Sequence, residues 1–188
     1  MYPHCARRAT LHEGLRRIDE ELAARAREGG CPHCGGPLDS ATWQRKPRGC
    51  EVDLPDDLRR RLGLCCRRCR RRVLPPSAVF LGRKVYLGGI VLISIASRQR
   101  QLTGSTAREL RAMFGVSAQT LARWLSFWSE DFPVSALWKR LRGRLSAAVR
   151  DDGLPDALLA QFDQRWGPGE QALAACSAFL AGARIQAS

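Results

Sequence analysis

Cysteines supply the clearest chemistry in this chain of 188 residues, which contains eight of them. Cys31 and Cys34 enclose two residues and precede two glycines. This spacing lets two thiolates reach one metal ion, and the glycines permit a tight turn with N–H groups near sulfur. Cys66 and Cys69 repeat the spacing. In the reducing compartment expected for this protein, paired cysteines are more often metal ligands than disulfide partners. The sequence therefore predicts one structural Zn²⁺ held by Cys31, Cys34, Cys66 and Cys69.

Three further residues are alternative ligands of this ion: Cys65, Cys50 and His33. The stretch between the two motifs exceeds the roughly 15 to 20 residues of the usual paired pattern, so part of it has to fold away from the metal. Four thiolates leave no open coordination position, which favours a structural role over a catalytic one.

Basic residues surround the second cysteine motif. Between Trp43 and Lys84 the chain has thirteen cations and four acids, so this segment carries +9 of the total formal charge of +13. A mixed-sign surface achieves solubility without such clustering, whereas cations on one small rigid body suit phosphate contacts. The residues predicted to bind DNA here are Arg45, Lys46, Arg48, Arg67, Arg68, Arg70, Arg71, Arg72, Arg83 and Lys84.

The run Arg-Lys-Pro-Arg-Gly at 45–49 has two interpretations. Pro47 bars a helix, and the flanking cations favour an extended segment in a narrow minor groove. A turn between two strands of the ribbon explains the same residues equally well.

A helix-turn-helix pattern occupies residues 106–125. Gly115 suits the left-handed turn, Ser117 suits the N-cap of the second helix, and Thr106 with Glu109 forms a capping box for the first. The second helix is expected in the major groove, with Gln119 reading adenine and Arg123 contacting guanine or phosphate. Apolar residues fall where two crossing helices would bury them: Leu110, Phe114, Val116, Leu121 and Trp124. The predicted DNA contacts of this motif are Ser117, Gln119, Thr120 and Arg123.

Mainly helical elements must position these motifs. Leu11, Leu15, Ile18 and Leu22 recur at helical spacing behind Thr10, which is predicted as the N-cap in a capping box with Glu13, and two glycines end the pattern. Further helical blocks are predicted over 85–97, 106–114, 118–129, 135–145, 155–162 and 170–181. Five aromatic residues are interpreted as core rather than as base-stacking platforms, namely Trp124, Phe127, Trp128, Phe132 and Trp138.

The expected fold is therefore mainly α, with a small zinc ribbon followed by a helix-turn-helix bundle. Its predicted parts are an amphipathic helix in 1–30, the ribbon with its basic residues in 31–78, the helix-turn-helix domain in 79–132 and C-terminal helices in 133–188.

The order of these motifs resembles the N-terminal zinc-ribbon and helix-turn-helix region of bacterial insertion-sequence transposases. The resemblance covers roughly residues 31–130 and includes Arg-Arg-Arg-Val-Leu-Pro-Pro-Ser at 70–77 and Phe-Leu-Gly-Arg-Lys-Val-Tyr-Leu at 80–87. It implies binding to a transposon end or related DNA. Such transposases continue into an RNase H-like domain with three metal-binding carboxylates, whereas this chain after residue 130 shows no predicted strands to hold such a triad.

The predicted function is a zinc-dependent, DNA-binding accessory or regulator of a mobile element, in transposition or transcription, and not an enzyme. Its expected partners are double-stranded DNA and a separately encoded transposase or other recombination protein, docked on the helices after Ser135. A homodimer is an open alternative because one half-site is short.

Two other classes of function remain open from the sequence. An RNA-binding or non-specific nucleic-acid scaffold explains the basic ribbon too, and an enzyme would use Asp151 and Asp152 as a nuclease or Cys65 as a thiol. No secretory leader is recognised, and the apolar run 85–96 is too short to span a bilayer. The sequence therefore predicts a soluble cytoplasmic protein associated with the nucleoid.

Overall fold

The computed structural model describes residues 9–44, 56, 59–80, 107–108, 111–112, 115–147 and 149–182. Its helices are α1 (Ala9–Glu28), α2 (Ala118–Ser126), α3 (Phe132–Val134), α4 (Ala136–Arg142), α5 (Asp156–Trp166) and α6 (Glu170–Leu180). Its strands are β1 (Leu38–Ser40), β2 (Trp43–Gln44), β3 (Arg60–Arg61), β4 (Leu64–Cys66) and β5 (Arg72–Val73). The described chain is thus mainly helical with small sheets, as expected. None of the described helices combines the length and apolarity that a membrane crossing requires.

Helix α1 forms along the predicted apolar stripe. Leu11, Leu15 and Leu22 are buried on one face, as their spacing of three to four residues dictates. Thr10, predicted as the N-cap, is itself helical, and its hydroxyl donates to Glu170 Oε2 at 2.6 Å. This bond ties the start of α1 to the start of α6. At the other end, Gly30 adopts a φ of 72° that a left-handed helix terminus requires.

One apolar core joins α1 to the helices that follow residue 115. Its centre is a chain of aromatic rings: the Trp128 and Phe132 centroids are 4.6 Å apart, and those of Phe132 and Trp138 are 5.3 Å apart. Trp128 is 0% exposed, and Phe132 and Trp138 are each 1% exposed. The interpretation of these residues as core is confirmed.

Four predicted helical blocks coincide with observed helices. The block 118–129 corresponds to α2 and a π-helical turn at Phe127–Asp131, and 135–145 contains α4. The block 155–162 is too short, because the Phe162 and Trp166 rings stack with centroids 5.4 Å apart and extend the apolar face of α5. The block 170–181 matches α6. The block 85–97 and parts of 106–114 lie outside the described residues.

Two small antiparallel sheets build the cysteine-rich unit. β4 lies between β1 and β5, with Leu38 opposite Cys66 and Leu64 opposite Val73. β2 pairs with β3, so the chain reverses direction between them. Leu38 and Leu64 form a second apolar core with the cysteines. The unit therefore has a core of its own beside the helical one.

A buried polar network fixes α1 against the cysteine-rich unit. Asp19, 2% exposed, accepts hydrogen bonds from the Ser77 hydroxyl and from the Ala78 N–H at 2.6 Å. Arg61 donates to the Pro75 carbonyl, and its Nη1 lies 3.9 Å from Asp19 Oδ2. Burial raises the pKa of Asp19 above its ordinary value, although these hydrogen bonds and the Arg61 charge oppose the shift. The network therefore joins α1, β3 and the segment after β5.

Candidate metal centre

Two turns of matching geometry carry the predicted metal ligands, and we call them the first knuckle (residues 31–36) and the second knuckle (residues 66–71). In the first, the Cys31 N–H donates to the Gly36 carbonyl at 2.9 Å. In the second, the Cys66 N–H donates to the Arg71 carbonyl at 3.0 Å. Each knuckle closes on its first cysteine, which brings both thiols of a motif to one side.

The residue after the second cysteine of each knuckle is left-handed. Gly35 has a φ of 67° and Arg70 has a φ of 59°. Their N–H groups donate to the carbonyls of Cys31 at 2.8 Å and Cys66 at 3.0 Å. Glycine accepts this conformation readily, but an arginine does so at an energetic cost. The two halves of the site thus have the same backbone conformation although their sequences differ.

The four sulfur atoms form one compact cluster. They all lie within 4.8 Å of one another, with Cys31 Sγ 3.6 Å from Cys69 Sγ and Cys34 Sγ 3.5 Å from Cys66 Sγ. Thiolates about 2.3 Å from a tetrahedral ion are about 3.8 Å apart, whereas a disulfide joins sulfurs at about 2.05 Å. The cluster therefore consists of thiols in an arrangement that could hold one metal ion.

Hydrogen bonds favour the charged form of one of these thiols. The Cys69 N–H lies 3.4 Å from Cys66 Sγ, and this bond, with those of the Cys34 thiol and the Arg68 N–H, lowers the pKa of Cys66 to about 6 despite burial. The Arg71 N–H favours the Cys69 thiolate, but burial and the neighbouring thiols raise the pKa of Cys69 to about 11. A bound cation would favour thiolates throughout the cluster.

Apolar packing shields the cluster from water. Cys66 is 0% and Cys31 is 3% exposed, and both pack with Leu38 and Leu64. Gly36 also lies against the sulfurs, since a Cβ at this position would be 3.2 Å from Cys66 Sγ. The site is closed on these sides, as structural metal sites are.

Two of the alternative ligands lie outside the cluster. The Cys65 thiol points to the carbonyls of Cys66, at 3.9 Å, and Arg70, at 3.6 Å. His33 is exposed, and its Nδ1 lies 3.3 Å from Arg71 Nη1. Adjacent residues of β4 point to opposite faces of the sheet, which explains why Cys66 and not Cys65 reaches the cluster. Cys50 lies outside the described residues.

The second knuckle and the start of β5 display five predicted DNA-binding arginines, all exposed. Arg67 makes two hydrogen bonds of 2.7 Å to Asp39, which lower the pKa of that carboxyl. The guanidinium of Arg72 lies 5.5 Å from the Trp43 ring centroid. The five arginines are Arg67, Arg68, Arg70, Arg71 and Arg72. The remaining predicted cations, Arg45, Lys46, Arg48, Arg83 and Lys84, lie outside the described residues.

The turn predicted between two helices has the expected local features. Gly115 has a φ of 58°, and the Ser117 hydroxyl accepts from the Thr120 N–H at 3.2 Å, which caps α2. Gln119 and Arg123 are exposed. Thr120 is only 6% exposed, and its hydroxyl lies 3.1 Å from that of Ser117. Thr120 thus belongs to the capping arrangement, and its side chain is not presented as a DNA contact.

Only part of the segment predicted as the first helix of this motif lies within the described residues. Residues 107–108 and 111–112 are helical, and the Val116 N–H donates to the Arg111 carbonyl at 3.1 Å. The predicted capping residues Thr106 and Glu109 and the apolar residues Leu110 and Phe114 lie outside the described residues.

The acidic pair considered for nuclease chemistry is engaged within the fold. Asp151 accepts the Trp138 indole N–H at 2.8 Å and a bond from Arg142 at 2.9 Å. Asp152 pairs with Arg150 at 3.1 Å, which lowers the pKa of the Asp152 carboxyl. Asp151 therefore connects α4 to the turn before α5, whereas Asp152 forms an exposed ion pair.

A second group of cations, on α4 and the turn after it, is not among the residues predicted to contact DNA. Its members, Lys139, Arg140, Arg142 and Arg144, are all exposed. Four cations within residues 139–144 equal the density of cations in the second knuckle, and this density is the sequence signal that marks them.

The chain was compared with models of protein families, with curated proteins and with solved structures, and no match was found.

Proposed function

We propose that this protein is a zinc-dependent, DNA-binding accessory or regulatory protein of a mobile element. The observation that carries the proposal is the four-thiol cluster with a run of exposed arginines on one of its two knuckles. Because the knuckle backbone is closed on the cluster, a bound ion would fix those arginines on one small rigid body. Arginine forks on a rigid body suit the phosphate oxygens of a nucleic acid.

Zinc is the metal that the donor set favours. Cys31, Cys34, Cys66 and Cys69 supply four soft sulfur ligands, and four thiolates with about 3.8 Å between them suit tetrahedral Zn²⁺. Zinc bound there would supply a cross-link between the two knuckles and no open position for catalysis. The protein is accordingly proposed to bind and not to catalyse.

Helix α2 is the proposed sequence reader. Leu121 and Trp124 bury one face of α2, so that Gln119, Ala122 and Arg123 lie on the exposed face. Glutamine pairs with adenine and arginine with guanine in the major groove. The phosphate contacts of the second knuckle would then position the protein, and α2 would select the site.

The link to a mobile element rests on the resemblance of the motif order to insertion-sequence transposases. The two knuckles, followed along the chain by the turn at Gly115 and by α2, keep the motif order of the DNA-contacting region of those transposases, which supports a role at DNA. The basic second knuckle would also suit RNA, so the test includes RNA as a competitor.

The deciding experiment is selection of binding sites by the zinc-loaded protein from random duplex DNA at physiological salt, where non-specific binding is weak. We expect one enriched motif, and loss of that preference in a Gln119→Ala/Arg123→Ala variant. Gln164→Ala/Arg165→Ala is the matched control, since it removes an exposed Gln and an exposed Arg from α5. Retention of DNA without an enriched motif contradicts the reader role.

A second comparison tests the division of labour. Arg70→Ala/Arg71→Ala is expected to weaken binding to every duplex and to reduce the salt slope by about 0.9 per lost phosphate contact. Arg17→Ala/Arg25→Ala, on the exposed side of α1, is the control of equal charge. If structured RNA displaces the bound duplex at a lower concentration than unlabelled duplex DNA does, RNA and not DNA is the ligand.

A further inference from the structure

A groove of about 1030 Å³ lies between the cysteine-rich unit and the helical core. One wall is formed by residues of the first knuckle, β2 and β5, including His33, Trp43 and Arg72. The opposite wall comes from α4 and the turn after it, with Arg140 and Arg144. The groove thus lies where the two cores of the molecule meet.

The groove has a single sign of charge. Arginines stand on both walls, and the described residues that line it include no Asp or Glu. Within the described part of the chain, none of Arg72, Arg140 and Arg144 pairs with a carboxylate, in contrast to Arg67 and Arg142. Positive charge that the fold itself does not neutralise is complementary to an anionic ligand.

Two of these arginines are held in place by aromatic rings. Arg72 lies 5.5 Å from the Trp43 ring centroid, and Arg144 lies 5.2 Å from that of Phe179. Such cation–π contacts restrict the side chains without satisfying their N–H donors. The donors are therefore preorganised for a partner that brings acceptor oxygens on both sides of the groove.

We infer that this groove binds a phosphodiester backbone, so that α4 and the turn after it add Arg140 and Arg144 to the nucleic-acid contact surface. The inference rests on the proposed function and extends it, since α4 was expected to contact protein. Planar guanidinium groups match phosphate oxygens in bidentate geometry. A backbone strand offers these oxygens repeatedly, which fits cations spaced along two walls.

The test compares two double variants that each remove two exposed cations. Arg140→Ala/Arg144→Ala removes groove cations, whereas Lys139→Ala/Arg150→Ala removes cations that do not line the groove. Binding of the zinc-loaded chain to a fluorescent duplex is measured over a series of NaCl concentrations. We expect the groove variant to lose about tenfold or more in affinity and to flatten the salt slope by about 1.8, from two contacts. The control pair should change the slope by less than half as much.

The outcomes separate this inference from the proposed function. If the wild-type chain does not bind the duplex, the proposed function fails and the inference fails with it. If the wild type binds but both pairs have equal effects, only the inference is overturned, because the effect is then one of net charge. If the groove variant keeps its DNA affinity but loses binding to poly-glutamate, the groove takes an acidic protein segment and the inference is overturned too.

A single charge reversal guards against misfolding of the double variant, because Arg144 packs on Phe179. Arg140→Glu places a repulsive charge in the groove at an exposed position of α4. We expect a larger loss of DNA affinity than in Lys139→Glu, with equal zinc content and equal thermal midpoints in both. Equal DNA affinities in these two variants would contradict the inference.

Discussion

The position after each pair of cysteines shows how one residue can serve two demands. Gly35 and Arg70 both adopt a left-handed backbone that closes their knuckles. A non-glycine residue in this conformation costs about 1 to 2 kcal/mol. The arginine is exposed, so packing does not explain its presence. A charge contributed to the proposed phosphate-binding surface would explain why arginine occupies this position.

Exchanges at these two positions are predicted to act in opposite directions on stability. Arg70→Gly should raise the free energy of unfolding of the zinc-loaded protein by about 1 kcal/mol, because the backbone strain is relieved, while DNA affinity falls. Gly35→Ala should lower it by about 1 kcal/mol, since no atom lies within 4 Å of the added Cβ and the backbone alone opposes it. Urea unfolding measures both. A less stable Arg70→Gly variant would contradict this account.

The absence of a side chain at Gly36 is predicted to be necessary for tight metal binding. A Cβ at this position would lie 2.9 Å from the Arg68 Cβ and 3.2 Å from Cys66 Sγ. Gly36→Ala should therefore displace a ligand and weaken zinc binding by about tenfold or more, in the range of changes close to a metal site. Competition with a chromogenic chelator measures this effect. The control Gly14→Ala, with nothing within 4 Å of its Cβ, should retain wild-type zinc affinity.

Helices and turns could be predicted from the sequence where a single local pattern of residues determines them. The apolar stripe of α1 and the paired cysteine spacing depend on residues within a few positions of one another. Asp19 lies on the buried side of α1, but its partners Arg61, Ser77 and Ala78 are more than forty residues away. Local periodicity carries no information about such long-range hydrogen bonds. For the same reason the groove between the two cores was not foreseen.

The Asp19 network is predicted to hold α1 against the cysteine-rich unit. Asp19→Ala leaves Arg61 buried without its counter-charge and leaves the Ala78 N–H without its acceptor, a loss of about 3 to 5 kcal/mol in unfolding free energy. Glu20→Ala, which removes an exposed i,i+4 partner of Arg16, should cost about 0.3 to 0.5 kcal/mol. Thermal and urea unfolding distinguish the two. Similar small losses in both variants would show that the network contributes little.

At the scale of the whole molecule, the described residues form two apolar cores that differ in what stabilises them. The helical core contains large side chains from α1 to α6, including Trp128 and Trp138. Among the described residues, the core of the cysteine-rich unit consists of Leu38 and Leu64 with two of the cysteines, a small apolar cluster of the kind that a bound metal commonly supplements. A metal ion would therefore cross-link and stabilise the core of the cysteine-rich unit and not the helical core. α1 contributes to both, since Leu15 packs in the helical core and Ala26 packs against the other.

Removal of the metal is predicted to unfold the molecule in part. With a chelator, amide hydrogen exchange should accelerate strongly in residues 31–44 and 59–73, because their backbone bonds depend on the cluster. Exchange in α5 and α6 should change little, since Leu158, Leu173 and Phe179 are buried among other apolar side chains of the helical core. Cys66→Ser should reproduce the chelator effect, whereas Cys65→Ser, outside the cluster, should not. Uniform acceleration over the whole described chain would instead show that the two cores fold as one cooperative unit, with the Asp19 network as the coupling between them.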